Sequence, residues 1–189
     1  MHTWTDFLFL RHGQTDWNLE GRFQGLADTP LNATGLAQAA NAAEILANHP
    51  VDRIVSSPLI RALKTAAVVS ERIGVPIDID TGLSERGFGS LEGQVVRDVK
   101  REIGIPPNVP MAAHLPPDAE QWPDTVARTE AAIGAWLTSR PTERILFVAH
   151  HGLFAALTEI LVGGRREGEN GKPYAFNRDG TAWSVAEPD

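Results

Sequence analysis

The sequence predicts an α/β fold, a three-layer αβα sandwich around a mostly parallel central sheet. Three observations carry this expectation. Short apolar runs alternate along the chain with longer stretches of helical period. The 189 residues suit a single domain over 1–189, at about 150 residues per domain, and no repeat divides them. Several apolar runs end abruptly in polar residues, and parallel sheets bind ligands at the carboxyl ends of their strands.

The elements follow in order. Residues 6–10 form an apolar run that stops at Arg11-His12-Gly13, a buried strand. Over 36–46 the apolar positions 36, 39, 40, 43 and 46 mark one face of a helix, which Asn32 or Thr34 caps. Residues 51–55 are a second strand, stopped by Ser56-Ser57-Pro58. From 59 the positions 59, 62, 66, 69 and 73 make another helix face, and Gly74 ends it. Val75, Ile77 and Ile79 alternate with polar residues as a third strand. A helix is expected over 94–103. Pro106, Pro107, Pro110, Pro116, Pro117 and Pro123 then impose a long irregular loop. Asp124 opens a helix with Val126, Ile133, Trp136 and Leu137 on one face, ended by Pro141. The most apolar strand is 145–149, followed by a helix over 153–162 that Gly163-Gly164 closes. The tail reads as a hairpin, 173–176 and 181–185 around a turn at 177–180.

Composition excludes several classes of function. With no cysteine there are no disulfides, zinc thiolates or cysteine nucleophiles. Lys plus Arg number 17 against 24 Asp plus Glu, and this net −7 opposes general nucleic-acid binding. No apolar run approaches the ~18 residues of a membrane span. Residues 1–13 lack a basic leader and are interrupted at Arg11, so no signal peptide is expected. The expected setting is the cytoplasm, with no nucleic acid and no membrane as partner; oligomeric state is left open.

The chemistry gathers at the strand ends. The first strand leads to Arg11-His12-Gly13, the second to Ser56-Ser57-Pro58 and Arg61, and the 145–149 strand to His150-His151-Gly152. The third leads a few residues on to Glu85. A parallel sheet brings these ends to one rim. Arginine is a permanently charged fork suited to phosphate, and neutral histidine is a nucleophile near pH 7. Phosphoryl transfer needs in-line positioning and charge stabilisation, which two arginines and a histidine supply without metal. A nearby carboxylic acid protonates the leaving oxygen and then activates water.

The stretch Leu10-Arg11-His12-Gly13-Gln14-Thr15-Asp16-Trp17-Asn18 closely resembles the opening motif of the histidine phosphatase superfamily, which includes the cofactor-dependent phosphoglycerate mutases. The likeness continues in Gly21-Arg22-Phe23-Gln24-Gly25, in Ser56 to Ala66, in Leu83-Ser84-Glu85 to Gly93 and in Val148 to Gly152. The resemblance implies a phosphoglycerate mutase-like fold and gives each residue a role. His12 becomes the phosphohistidine; Arg11, Arg61 and His150 clamp the phosphoryl oxygens; Asn18 adds a polar contact; Glu85 is proton donor and then base; Gln24 and Gly25 line the substrate mouth. Where the family shows one histidine before glycine, this chain has two. Alignment on His-Gly picks His151, whereas the distance to the following helix picks His150; the second is preferred here, which leaves His151 beside the substrate. No metal and no cofactor are implied, and the partner is a small phosphorylated metabolite.

Other readings compete. Asp78-Ile79-Asp80-Thr81 matches the signature of magnesium-dependent aspartyl phosphatases, although Pro76 makes a poor central strand before it. The short, proline-rich stretch after Glu85 favours a phosphatase over a mutase. A silent phospho-ligand binder would have lost His12 or Glu85, and both are present. Glu92 is the weaker candidate for Glu85's role. Trp122 and Trp136 are expected to pack, and His2, His49 and His114 to be exposed and idle.

Overall fold

The computed structural model describes residues 4–111 and 114–188; His2 lies outside them. Six strands form one sheet: β1 (Phe7–Arg11), β2 (Arg53–Ser56), β3 (Ile77–Ile79), β4 (Ile145–Ala149), β5 (Pro173–Asp179) and β6 (Ala182–Ala186). Their order is β3-β2-β4-β1-β5-β6. The first four of that order run parallel, and β5 and β6 are antiparallel additions. Six α-helices accompany it: α1 (Asp16–Glu20), α2 (Ala33–Leu46), α3 (Ile60–Ile73), α4 (Val96–Glu102), α5 (Trp122–Ser139) and α6 (His151–Val162).

Alternation along the strands divides the core into two layers. Phe7, Phe9, Val55 and Phe147 face α5 and α6, meeting Ile133, Leu137, Phe154 and Leu157. Leu8, Leu10, Ile54, Leu146 and Val148 face α2 and α3, meeting Ala42, Leu46, Ala62 and Val69. The parallel strands are therefore apolar on both faces, as a sheet covered twice requires. A smaller core of Phe23, Val99, Ile105 and Met111 consolidates the irregular segments above the strand ends.

The expected elements are present, with shifted edges. β2 starts at Arg53 because Asp52 pairs with Arg144, its amide donating to the Arg144 carbonyl and its carboxylate accepting the Arg144 amide. α5 starts at Trp122, since Pro123 fits the first turn, where no amide donor is needed. α6 starts directly at His151. The hairpin turn is tighter than expected. Asn177 and Arg178 stay in the ladder opposite Ser184 and Trp183, leaving Gly180-Thr181 as a two-residue turn. Asn32, not Thr34, caps α2. The short α1 was not expected; Thr15 and Asn18 cap it reciprocally, each accepting from the other's backbone amide.

The loop after β1 packs very closely against α2. A Cβ on Gly35 would overlap the Gln14 carbonyl, and one on Gly13 the Gly35 carbonyl. Gly35→Ala should therefore cost about 1–3 kcal/mol in urea unfolding. Gly164→Ala, where a Cβ meets open space, should be near neutral. Equal midpoints for the two variants would contradict the close approach.

Candidate active site

Strand order builds the site. β4 lies between β1 and β2, with Arg11 opposite Ala149 and Ser56 opposite Val148. The residue after each strand continues the ladder: the His12 amide donates to the Ala149 carbonyl and the Ser57 amide to the Val148 carbonyl, both at 3.0 Å. His12, Ser57 and His150 thus become neighbours. The His12 and His150 rings stand 5.2 Å apart.

His12 is buried, and its Nδ1 lies 2.7 Å from the Gly13 carbonyl. A carbonyl only accepts, so Nδ1 carries the proton and Nε2 keeps its lone pair. Burial, with Arg61 and Arg11 nearby, pushes the His12 pKa well below the ordinary 6.5. The ring is neutral at pH 7, with a free nucleophilic nitrogen.

Arg61 is fully buried. It donates to the Ala27 carbonyl at 2.7 Å and the Gly25 carbonyl at 2.8 Å, and its Nε has no partner among the described residues. Arg11 donates to the Gly168 carbonyl at 2.6 Å, and its Nε is likewise unpartnered. Burial lowers both arginine pKa values, and Glu85 opposes the shift. Both guanidiniums remain charged. Thr65 ties the Arg61 backbone to the residue after His12: its hydroxyl accepts the Gly13 amide at 3.1 Å and donates to the Arg61 carbonyl at 2.7 Å.

Glu85 is held by backbone amides. Oε1 accepts from Arg86 at 2.8 Å and from Gly152, in the first turn of α6, at 3.1 Å. Oε2 shares only the Gly152 amide, at 3.3 Å, and is the oxygen freer to carry a proton.

A cleft of about 290 Å³ brings together Arg11, His12, Asn18, Gln24, Gly25, Arg61, Glu85 and His151. Of the residues expected at the site, only His150 stands behind the open wall; it is fully buried next to His12. Asn18 Oδ1 is occupied by the Thr15 amide and by Asn170. Gln24 Oε1 accepts from the Thr15 and Thr29 hydroxyls, so its side chain braces the loop. Gly25, at φ +53°, contributes the carbonyl that holds Arg61.

Sequence reasoning missed some of the wall. Arg22 and Phe23 sit inside a stretch already singled out, but Glu167 comes from the loop after α6 and carries no local signal. A second cavity of about 410 Å³ adjoins the first on the Glu85 side, where Arg86, Met111, Trp122 and Arg165 line it. Trp136 packs as expected, donating to Asp80 at 2.6 Å, whereas Trp122 forms part of this second wall. His114 is exposed and His49 half-buried, and neither lines the cleft.

The competing motifs have other employment. Glu92 Oε1 accepts the Leu26 and Phe88 amides, bracing the loop that carries Gly25. Asp78 pairs with Arg53 at 2.5 Å, and Asp80 caps Gly82 at 2.7 Å. Asp78 lies in β3 and Asp80 directly after it, at the sheet edge and separated from β1 by β2 and β4. Among the described residues no three His, Asp or Glu side chains are grouped to hold a metal ion.

Comparison with known proteins gives the family. A model of the histidine phosphatase superfamily (branch 1) matches residues 7–188. The glucosyl-3-phosphoglycerate phosphatase of Mycolicibacterium vanbaalenii is 37% identical over 171 residues, covering 82% of this chain and 73% of that protein. A Bacillus subtilis protein described as the uncharacterized phosphatase PhoE is 34% identical over 163 residues, 86% of this chain and 80% of that protein. The solved structure of a mycobacterial glucosyl-3-phosphoglycerate phosphatase with VO3 has a TM-score of 0.85 at 29% identity, covering 96% of this chain and 97% of that one.

The depressed histidine pKa values have a thermodynamic consequence. His12 and His150 stay neutral when folded but bind protons when unfolded, at a pKa of about 6.5. Below that pH the unfolded state gains the protons, so stability falls by about 1.4 kcal/mol per pH unit for each ring. Urea midpoints should drop steeply between about pH 7.5 and 5.5, and the slope should halve when His12 is replaced by Asn. An unchanged slope would mean His12 is not buried neutral.

Proposed function

The chain belongs to the histidine phosphatase superfamily, and from that premise we propose that it hydrolyses small phosphorylated metabolites through a phosphohistidine on His12. The enzyme is a phosphoric monoester hydrolase. One observation carries the mechanism: His12 is a neutral ring with Nδ1 tied to Gly13, sharing a cleft with the fully buried cation Arg61 and the half-buried cation Arg11.

In the first step His12 Nε2 attacks phosphorus and the P–O bond to the alcohol breaks. Glu85, protonated, gives its proton to the leaving oxygen. Arg11 and Arg61 balance the charge on the equatorial oxygens, and their Nε atoms are donors with no acceptor among the described residues. In the second step Glu85 takes a proton from water. That water attacks phosphorus, the P–N bond breaks, and His12 and phosphate are released.

The cavity beside Glu85 supports a metabolite-sized leaving group. Among the described residues no helix is long and apolar enough to cross a membrane. We place the enzyme in the cytoplasm, with neither nucleic acid nor membrane as partner.

Phosphate release from phosphorylated metabolites without added metal is the direct assay. His12→Ala should abolish the acid-labile phosphoenzyme, and normal turnover in that variant would refute the mechanism. Glu85→Gln should slow alkyl phosphates by about 10²–10⁴-fold. It should slow p-nitrophenyl phosphate far less, because that group departs without a proton. Equal slowing of both would remove Glu85 from the donor role. Rapid phosphoglycerate interconversion with little phosphate release would instead identify a mutase, and binding without release a silent binder.

A further inference from the structure

A buried neutral histidine serves an anion only if the nitrogen facing it carries the proton. His150 poses that question. It is fully buried, its Nε2 lies 2.7 Å from the Ser57 hydroxyl oxygen, and its Nδ1 is buried with no partner among the described residues. Its pKa is pushed well below 6.5, first by burial and then by Arg61, so one ring nitrogen is protonated and the other is not.

The hydrogen bonds of Ser57 distinguish the two tautomers. Ser57 is fully buried, and its Oγ already accepts the Leu59 amide at 3.3 Å. If Nε2–H donated to Ser57, the hydroxyl proton would have no acceptor, and Nδ1 would present a lone pair. An orphaned buried hydroxyl and a lone pair against an anion are both unfavourable. If the Ser57 hydroxyl donates to Nε2 instead, both contacts of Ser57 are satisfied. The remaining group is Nδ1–H, a donor lacking an acceptor on a ring 5.2 Å from His12. The two adjacent serines are not equivalent: the Ser56 hydroxyl donates to the Ser57 carbonyl at 2.9 Å and does not serve His150.

We propose that Ser57 is a positioning residue: its hydroxyl sets the tautomer of His150, so that Nδ1–H is presented to the phosphoryl group at His12. The proposal rests on the phosphatase reading of the cleft.

The test begins with the free protein labelled with ¹⁵N-histidine. Two-bond proton–nitrogen correlation spectra should show the wild-type His150 protonated at Nδ1 and bare at Nε2, and Ser57→Ala should move protonation toward Nε2. A wild-type ring protonated at Nε2 overturns the proposal, and this measurement requires no variant to fold. Inorganic phosphate is the binding probe. Its inhibition constant should rise about 10- to 100-fold in Ser57→Ala, the loss expected for one hydrogen bond to an anion. Ser57→Thr, which keeps the hydroxyl, should recover most of it. A folded Ser57→Ala that binds phosphate like the wild type, or shows the same tautomer, also overturns the proposal. Failure of the wild type to release phosphate from any monoester would strike the parent reading, while the spectrum would still decide the tautomer.

Discussion

One guanidinium group is taken wholly out of water and a second partly, beside a histidine that must stay uncharged, and much of the architecture answers that constraint. Arg61 has no exposed surface. Burying an unpaired charge is costly, and the chain compensates with backbone carbonyls rather than a carboxylate in contact. Those carbonyls belong to Gly25 and Ala27, in a loop that turns through a left-handed glycine and is pinned by Glu92. Had a carboxylate neutralised Arg61, the cleft would have little attraction for phosphate. The Nε atoms of Arg11 and Arg61, without a partner among the described residues, are what this arrangement leaves over. Burial first, and then the same positive field, hold His12 in its neutral, nucleophilic form. One buried charge distribution therefore both receives the anion and prepares the base that attacks it.

Topology makes the distribution possible. Because β4 inserts between β1 and β2, three segments far apart in sequence end side by side. Thr65 and the Asn170-Gly171 segment then lock them. Asn170 donates to the His12 carbonyl at 3.0 Å and the Gly171 amide to the Arg11 carbonyl at 2.9 Å. The antiparallel β5 that follows secures this clasp against β1. The acidic surface implied by the net −7 surrounds a locally positive pocket, a combination suited to one small phosphate ester.

How much of this was legible in the sequence depended on the range of the interactions. Strands 145–149 and 6–10 were readable because burial on both faces leaves an uninterrupted apolar run. Arg11, His12, Arg61 and Glu85 were readable because each ends or follows a strand within a dense motif. The tight turn at Gly180-Thr181 was misplaced because Asn177 and Arg178 look like turn residues, and only pairing with β6 keeps them extended. The short α1 was missed because five residues give too little periodicity, and its capping box was the available signal. Glu167 and the second cavity arise from loops that meet only in three dimensions. Gln24 lines the cleft, and its carbonyl oxygen is also held by two threonines, a bond no spacing reveals.

The central claim is that phosphate passes through a covalent bond to His12. The stereochemical course at phosphorus tests it most directly, using a monoester made chiral with oxygen isotopes. Two successive in-line displacements, onto His12 and then onto water, predict net retention of configuration. Net inversion would mean that water attacks the substrate in a single step, and it would contradict the account.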